Sequence, residues 1–172
     1  MYLGSRSLPG EPSDKYSKAA KQIIDTGLNC LGTTTTPEFG LTGTTESLRF
    51  GATCNPWNTA YSTGGSSGGS SALVASGVIP IAHANDGAGS IRIPASCCGL
   101  VGLKASRGRI KDKEVPSYLP ANILHDGVVT RSVRDTWAFH AEIEKNIPAT
   151  EFPPIGDISE SVSYTHLTLP TT

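Results

Sequence analysis

Two serine- and glycine-rich segments hold the residues best suited to nucleophilic chemistry. They are Gly64–Ala72, with the sequence GGSSGGSSA, and Asp86–Pro94, with the sequence DGAGSIRIP. A serine hydroxyl attacks a carbonyl carbon effectively only when a base and donors for the developing oxyanion lie close by. Both segments therefore have to be judged by what their backbones can place around a serine.

The second segment can supply such donors. Its glycines permit a tight concave path that aims the consecutive backbone N–H groups of residues 87–90 at one point, as an oxyanion hole requires. Ser90 ends this run, and Asp86 and Arg92 bracket it and can pair to hold its ends. By itself the pattern is equally compatible with a structural glycine turn closed by a surface ion pair.

The first segment has three interpretations. A flexible linker is disfavoured, because a helix-forming segment follows directly. A phosphate-binding loop lacks the required Lys-Ser/Thr ending. Residues 64–68 formally match the G-x-S-x-G nucleophile elbow, yet Trp57–Thr63 before them is polar and aromatic instead of a buried apolar strand, so we interpret the match as accidental.

The surrounding pattern indicates an α/β protein, with strands and helices separated by glycine-rich loops. Ser132 is a predicted N-cap for the last helix, with Asp135 in a weaker form of the capping box. In the first part of the chain we expect a helix over Lys15–Thr26, capped by Ser13-Asp14 and ended by Gly27, then a strand over Leu28–Thr35 and a long irregular loop over Gly40–Gly69. A helix over Ser70–Gly77 and a strand over Val78–His83 should follow. The last predicted elements are a short apolar run over Gly99–Leu103, a strand end at Gly127–Thr130 and a helix over Arg131–Glu144.

Composition excludes several classes of protein. The net charge of -1 and the pI of about 6.4 give no electrostatic footprint for nucleic acid or an anionic membrane. No stretch has the length of a membrane span, and no signal region opens the chain, so we expect a cytoplasmic protein. Four cysteines lack zinc-ligand spacing and are expected to be unpaired, small hydrophobic residues that are buried or half-buried, namely Cys30, Cys54, Cys97 and Cys98. No metal or cofactor is predicted.

Taken together, the two segments resemble the defining segment of the amidase signature family. The likeness covers Gly64–Arg109 and extends to LGTTTTPEFG at Leu31–Gly40 and to GVVTRSVRD at Gly127–Asp135, from about Gly4 to about Ser159 in all. Among bacterial members, DGAGSIRIPASCCGLVGLK is similar to amidases near the cyclic-amide (nylon-oligomer) hydrolases. The resemblance implies a partial amidase-signature fold, with a mixed β-sheet core flanked by helices.

The resemblance also implies a Ser–cis-Ser–Lys mechanism for hydrolysing linear or cyclic carboxylic amides through an acyl-enzyme. Ser90 matches the nucleophile, and Ser66, 24 residues earlier, matches the bridging serine that follows a cis peptide bond. The backbone N–H groups of Gly87, Ala88, Gly89 and Ser90 match the oxyanion hole, with Ala88 in place of the commoner glycine. Three further positions match residues that hold the loops, namely Ser67, Asp86 and Arg92.

The family's catalytic lysine has no counterpart. It belongs to a G-V-P-x-x-x-K-D type segment upstream of the equivalent of Gly4, and this chain begins at Met1. Lys15, Lys18 and Lys21 are expected on a helix surface, and Lys104 is expected to be structural. We therefore expect residues 1–160 to be a partial amidase domain, inactive alone, without the lysine segment and the C-terminal half. Residues 161–172 are similar to a cloning read-through.

The remaining alternatives concern other catalysts and other roles. His83, His125 and His140 match no catalytic position, and a triad of Ser66, Asp86 and His125 lacks the strand–turn–helix context. A binding-only or scaffold relative, such as a subunit of a transamidation complex, is the second function class. The expected partner is a small-molecule amide, without nucleic acid or membrane, and a homodimer is compatible with the full-length protein.

Overall fold

The computed structural model describes residues 2–11, 14–106, 109–110, 123–145 and 155–156. Its elements, in chain order, are α1 (Lys18–Asp25), a 3-10 turn (Glu38–Gly40), β1 (Glu46–Ser47), β2 (Gly51–Ala52), β3 (Cys54–Asn55), β4 (Asn58–Ser62), α2 (Gly68–Ala75), β5 (Ile81–Asp86), α3 (Arg92–Cys98), β6 (Val101–Gly102), β7 (His125–Thr130) and α4 (Val133–Lys145). The predicted α/β class is confirmed.

A three-stranded sheet forms the centre, with β7 between β5 and β6. Both pairings are antiparallel, and β5 and β7 pair along six residues from Ile81 opposite Thr130 to Asp86 opposite His125. Every residue of β7 is buried. Because neighbouring residues of a strand point to opposite faces, a strand buried throughout must be covered on both sides.

Helices supply that cover in two layers. On one face α2 and α3 pack on the sheet, and on the other α4 packs with a contribution from Ile23 of α1. The first apolar cluster consists of Val74, Ala82, Ala84, Ile91, Ala95 and Val129. The second consists of Ile110, Val128, Phe139 and Ile143, with Ile23 and Ile81 against it. The site therefore has a packed three-layer support.

The predicted start of α1 is wrong by three residues. Ser17 is the N-cap, with an extended backbone and a hydroxyl that accepts the N–H of Ala20 at 3.1 Å. This side-chain bond satisfies a donor of the first turn and fixes where the helix begins. Ser13 lies outside the described residues. The C-terminal prediction is confirmed, since Gly27 follows the C-cap with φ +87°.

The predicted strand over Leu28–Thr35 does not form. These residues run past the start of α2, where the carbonyl of Thr35 accepts the N–H of Gly69 at 3.2 Å and the Thr34 hydroxyl lies 2.9 Å from the Ser70 hydroxyl. The predicted loop over Gly40–Gly69 is also wrong in part. It contains the antiparallel pairs β1–β2 and β3–β4, and α2 already begins within it.

The following helix and strand are confirmed with shifted bounds. Strand β5 starts three residues later than predicted, because the N–H groups of Val78 and Ile79 still return to the carbonyl of Leu73 at the end of α2. The expected cap of α4 is present, with the Ser132 hydroxyl accepting the N–H of Asp135 at 3.1 Å. The four cysteines are unpaired, but only Cys98 is buried. The predicted burial is wrong for the other three, which are exposed, namely Cys30, Cys54 and Cys97. Within the described ranges no helix is long and apolar enough to cross a membrane.

Candidate active site

Asp86, the last residue of β5, organises the turn that leads to Ser90. Its carboxylate is completely buried and accepts the N–H of Gly89 at Oδ1 (2.7 Å) and the N–H of Ile91 at Oδ2 (3.3 Å). The guanidinium of Arg92 donates to both oxygens, from Nε at 2.9 Å and from Nη2 at 3.1 Å. The predicted ion pair between Asp86 and Arg92 is therefore present, and it is bidentate.

The charge of Asp86 is stabilised in this position. Burial acts to raise the pKa of the carboxyl group, but the hydrogen bonds from Arg92, Gly89 and Ile91 outweigh it and hold the pKa below its ordinary value. The pKa of Arg92 is raised by the same pairing. At neutral pH the turn is thus closed around a carboxylate anion and not around a neutral acid.

The backbone donors of the turn divide into two groups. The N–H of Gly89 is held by Asp86, whereas those of Gly87, Ala88 and Ser90 have no hydrogen-bond partner among the described residues. Gly89 has φ +121°, a value that disfavours any side chain, and a Cβ there would lie 2.8 Å from Ile93. Three of the four predicted oxyanion donors are therefore unengaged, and the fourth anchors the turn.

Ser66 lies in the loop before α2. The peptide bond between Gly65 and Ser66 is cis, as the family resemblance implies, and Ser66 is 7% exposed. Its carbonyl accepts a hydrogen bond from the Thr36 hydroxyl at 3.2 Å. A Cβ at Gly65 would lie 2.8 Å from the carbonyl carbon and oxygen of Thr44, so the backbone of this loop passes where only glycine fits.

The first turn of α2 is packed equally closely. A Cβ at Gly69 would lie 2.4 Å from the backbone nitrogen of Thr35, and one at Gly68 would lie 2.2 Å from the hydroxyl of Thr45. Sequence reasoning predicted neither contact, because both partners lie more than 20 residues away along the chain. The repeated glycines that resembled a linker are thus sites of close backbone approach.

Hydroxyl groups join this loop to β5. The Ser67 hydroxyl accepts the N–H of Asn85 at 3.2 Å and lies 3.4 Å from the Asn85 carbonyl, and the Ser70 hydroxyl donates to the carbonyl of His83 at 2.7 Å. Because Asn85 precedes Asp86, both serine-bearing loops are anchored at the same end of β5. A Cβ at Gly64 would also lie 3.2 Å from Pro94 of α3.

The three described histidines have different surroundings. His83 pairs through Nε2 with the buried Asp126 at 2.8 Å, a partnership that the sequence did not reveal because it crosses from β5 to β7. His125 stands opposite Asp86 in the sheet register. His140 is buried in α4 beside Phe139, its Nε2 has no hydrogen-bond partner in the described part of the chain, and burial lowers its pKa.

The fold places two serine-bearing loops at one end of β5, and comparison with known proteins identifies the family. The family model described as Amidase matches residues 1–168. The chain therefore belongs to the amidase family.

Relatives in this family are close in sequence. The amidase homologue AmiC of Mycobacterium tuberculosis is 52% identical over 146 residues, which cover 85% of this chain and 31% of the relative. The 6-aminohexanoate-cyclic-dimer hydrolase of Paenarthrobacter ureafaciens is 50% identical over 145 residues, covering 83% of this chain and 29% of that protein. The chain thus spans less than a third of the length of these relatives.

A solved structure gives the same relationship in three dimensions. The structure of a 6-aminohexanoate cyclic dimer hydrolase superposes with a TM-score of 0.68 at 43% sequence identity, covering 84% of this chain and 29% of that one. The central sheet and its two serine-bearing loops therefore belong to an architecture that larger amide hydrolases share.

Proposed function

We propose that this chain carries the serine-bearing part of an enzyme that hydrolyses carboxylic amides to a carboxylate and an amine or ammonia. The observation that carries the proposal is the buried Asp86, which closes the turn before Ser90 and leaves three N–H groups unengaged beside it. Membership of the amidase family supports the same chemistry.

In this proposal Ser90 is the nucleophile. Its oxygen forms a bond to the amide carbonyl carbon while its proton passes to the Ser66 oxygen, and Ser66 gives its own proton to a lysine that acts as the base. The carbonyl oxygen becomes an oxyanion, and the lysine later returns the proton through Ser66. The N–H groups of Gly87, Ala88 and Ser90 stabilise that oxyanion, while Gly89 holds the turn. The C–N bond then breaks as the nitrogen takes a proton from Ser66, and water hydrolyses the resulting acyl-enzyme.

The loops that carry the serines need support, which we assign to three residues. Asp86 and Arg92 fix the turn before Ser90 through four hydrogen bonds between the carboxylate, two backbone amides and the guanidinium. Ser67 ties the loop of Ser66 to Asn85. They are positioning residues, because each acts through the backbone of a catalytic loop.

The proposal assigns the base to a lysine, and three of the described lysines already have other partners. Lys21 pairs with Asp25, Lys104 donates to the carbonyl of Ala105 and Lys145 pairs with Glu142. A general base contributes about 10²–10⁴-fold to such a reaction. We therefore propose that these 172 residues alone are inactive and that activity requires an added segment with a suitable lysine.

The experiment compares two preparations, these 172 residues alone and the complete gene product that contains them. Each is incubated with simple linear and cyclic amides and then with a fluorophosphonate probe, and the labelled peptide is identified by mass spectrometry. We expect hydrolysis only in the complete product, and a label on Ser90 that Ser90→Ala abolishes. The Ser66→Ala variant should still be labelled on Ser90, but both labelling and amide hydrolysis should be slower.

The control is Ser76→Ala, an exposed serine at the other end of α2, which should leave the rates unchanged. Labelling of a different serine would contradict the assignment of the nucleophile. Saturable amide binding without any hydrolysis by the complete product would instead favour the second candidate, a binding-only or scaffold relative.

A further inference from the structure

Gly40 differs from the other glycines around the serine loops. A Cβ at Gly65, Gly68 or Gly69 would collide with neighbouring atoms at 2.2–2.9 Å. A Cβ at Gly40 would meet only the side chain of Ser66, at 3.6 Å from Oγ and 3.9 Å from Cβ, which is ordinary van der Waals contact. Packing therefore does not forbid a side chain at Gly40, and its absence leaves a space directly beside the Ser66 hydroxyl.

The turn that holds Gly40 is fixed in place. The N–H of Phe39 donates to the carbonyl of Leu3 at 2.7 Å, and the N–H of Gly40 donates to the carbonyl of Pro37 at 3.0 Å. The Ser5 hydroxyl donates to Glu38 Oε1 at 2.7 Å from a completely buried position. A side chain introduced at Gly40 would consequently be held next to Ser66.

The chemistry of Ser66 says which part of a substrate would lie in this space. In the proposed mechanism Ser66 delivers a proton to the departing nitrogen, so the nitrogen and anything bonded to it lie within reach of the Ser66 hydroxyl. The carbonyl oxygen is bound at the other side, by the turn before Ser90. The space beside Gly40 therefore faces the amine part of the amide.

The neighbours of Gly40 indicate the character of that amine part. The residues on either side of Gly40 in the chain are both apolar and exposed, Phe39 by 48% and Leu41 by 81%, so the turn beside Ser66 offers apolar side chains to a ligand. We propose that Gly40 is a specificity-determining residue, which admits an apolar substituent on the amide nitrogen and makes secondary amides substrates. This inference rests on the proposed function, because it takes the role of Ser66 from it.

The test uses the complete gene product and two substrates that share one acyl group, a primary amide and its anilide. Wild-type enzyme should cleave both. In Gly40→Leu we expect kcat/KM for the anilide to fall by about 10-fold or more relative to the primary amide, because the added side chain fills the space for the ring. Gly40→Ala should shift the ratio in the same direction by less.

The matched control is Gly77→Leu. Gly77 has φ +80°, close to the +69° of Gly40, and a Cβ there would have no atom of the described residues within 4 Å. It lies just beyond the C-terminal end of α2, whereas Ser66 precedes the other end. It therefore carries comparable backbone strain away from the space beside Ser66, and it should leave the ratio of the two substrates unchanged.

The outcomes separate the two proposals. Cleavage of the primary amide but not the anilide by wild type would overturn the role of Gly40 and leave the proposed function standing. An equal loss for both substrates in folded Gly40→Ala and Gly40→Leu, as judged by circular dichroism, would overturn it too. No hydrolysis of either substrate, together with no probe label on Ser90, would overturn the proposed function itself.

Discussion

The two serine-bearing loops are held in place by different forces. The loop of Ser90 is organised by one buried charge, with Asp86 accepting two backbone N–H groups and a bidentate guanidinium. The loop of Ser66 has no charged anchor among its described contacts. It is held by neutral hydroxyl groups, such as those of Thr36 and Ser67, and by glycines whose backbone touches neighbouring segments.

This difference separates two ways of fixing a serine-bearing loop. A single carboxylate concentrates the support in one residue, so its loss leaves several donors unpaired at once. Neutral bonds and close contacts spread the support, so each hydroxyl matters less, while each glycine is limited by the space around it. Substitutions can test both halves of this contrast.

The largest effect should follow from Asp86→Asn. This change removes the charge that faces the half-exposed Arg92 side chain and places an NH2 group against two backbone donors. Because a buried donor without its acceptor costs about 1–3 kcal/mol, we expect the free energy of unfolding to fall by about 2–4 kcal/mol. Urea denaturation measures it. The control is Asp25→Asn, whose exposed pair with Lys21 should contribute about 0.5 kcal/mol or less. A similarly small loss of unfolding free energy in both variants would contradict the interpretation that Asp86 alone holds the loop of Ser90.

Gly69→Ala should give the next largest effect. The new methyl group would lie 2.4 Å from the Thr35 backbone, and relieving such overpacking costs about 1–3 kcal/mol. Gly43→Ala is the matched control, since a Cβ at Gly43 would meet only Ile93 at 3.9 Å. Thermal unfolding of both variants provides the comparison. A stability gain in Gly69→Ala, as helix propensity alone predicts, would show that the two segments can separate freely.

The dependence of stability on pH should show that the loop of Ser90, unlike that of Ser66, depends on a charge. The pKa of Asp86 is lower in the folded state than in the unfolded state, where it is about 3.9. The ionised carboxylate therefore stabilises the fold above about pH 3.9, and this stabilisation is lost as the pH falls through the folded-state pKa. The stability difference between wild type and Asp86→Asn should therefore narrow from pH 6 towards pH 3. A constant difference across this range, in denaturation curves, would argue against an ionised Asp86.

The smallest effect should come from Ser67→Ala. The Ser67 hydroxyl accepts one N–H from Asn85, and a neutral hydrogen bond of this kind contributes about 1 kcal/mol. In the complete gene product, the fall in kcat, expressed as a free energy of activation, should exceed the fall in the free energy of unfolding, because the bond lies next to Ser66. Ser76→Ala, at the exposed end of α2, serves as the reference. A loss as large as that of Asp86→Asn would remove the distinction between the loops.

Local patterns were sufficient for several parts of this protein. The pairing of Asp86 with Arg92, the Ser132 cap of α4 and the helix after the glycine-rich run each depend on groups within six residues of one another. The class of fold also followed from the order of the elements. Over such short separations the backbone geometry of a turn or helix already fixes which groups can meet.

Contacts between distant residues could not be predicted in the same way. The segment Leu28–Thr35 has the β-branched composition of a strand, yet the carbonyl of Thr35 accepts an N–H from the first turn of α2 and the Thr34 hydroxyl contacts that of Ser70. The pair of His83 and Asp126 depends on the register of two strands more than 40 residues apart. Composition indicates which secondary structure a segment prefers, but the segment that packs beside it decides which hydrogen bonds, and so which structure, it forms.

By itself the sequence determined the chemistry that this chain can offer, because the types and spacing of Ser66, Asp86, Ser90 and Arg92 are properties of the chain. Only the tertiary structure decided how that chemistry is arranged. It assigned the Gly89 N–H to Asp86, left three other amides of this turn without a partner among the described residues, and placed Gly40 beside Ser66. These facts depend on where separate segments meet in space, and packing of the three layers sets those positions.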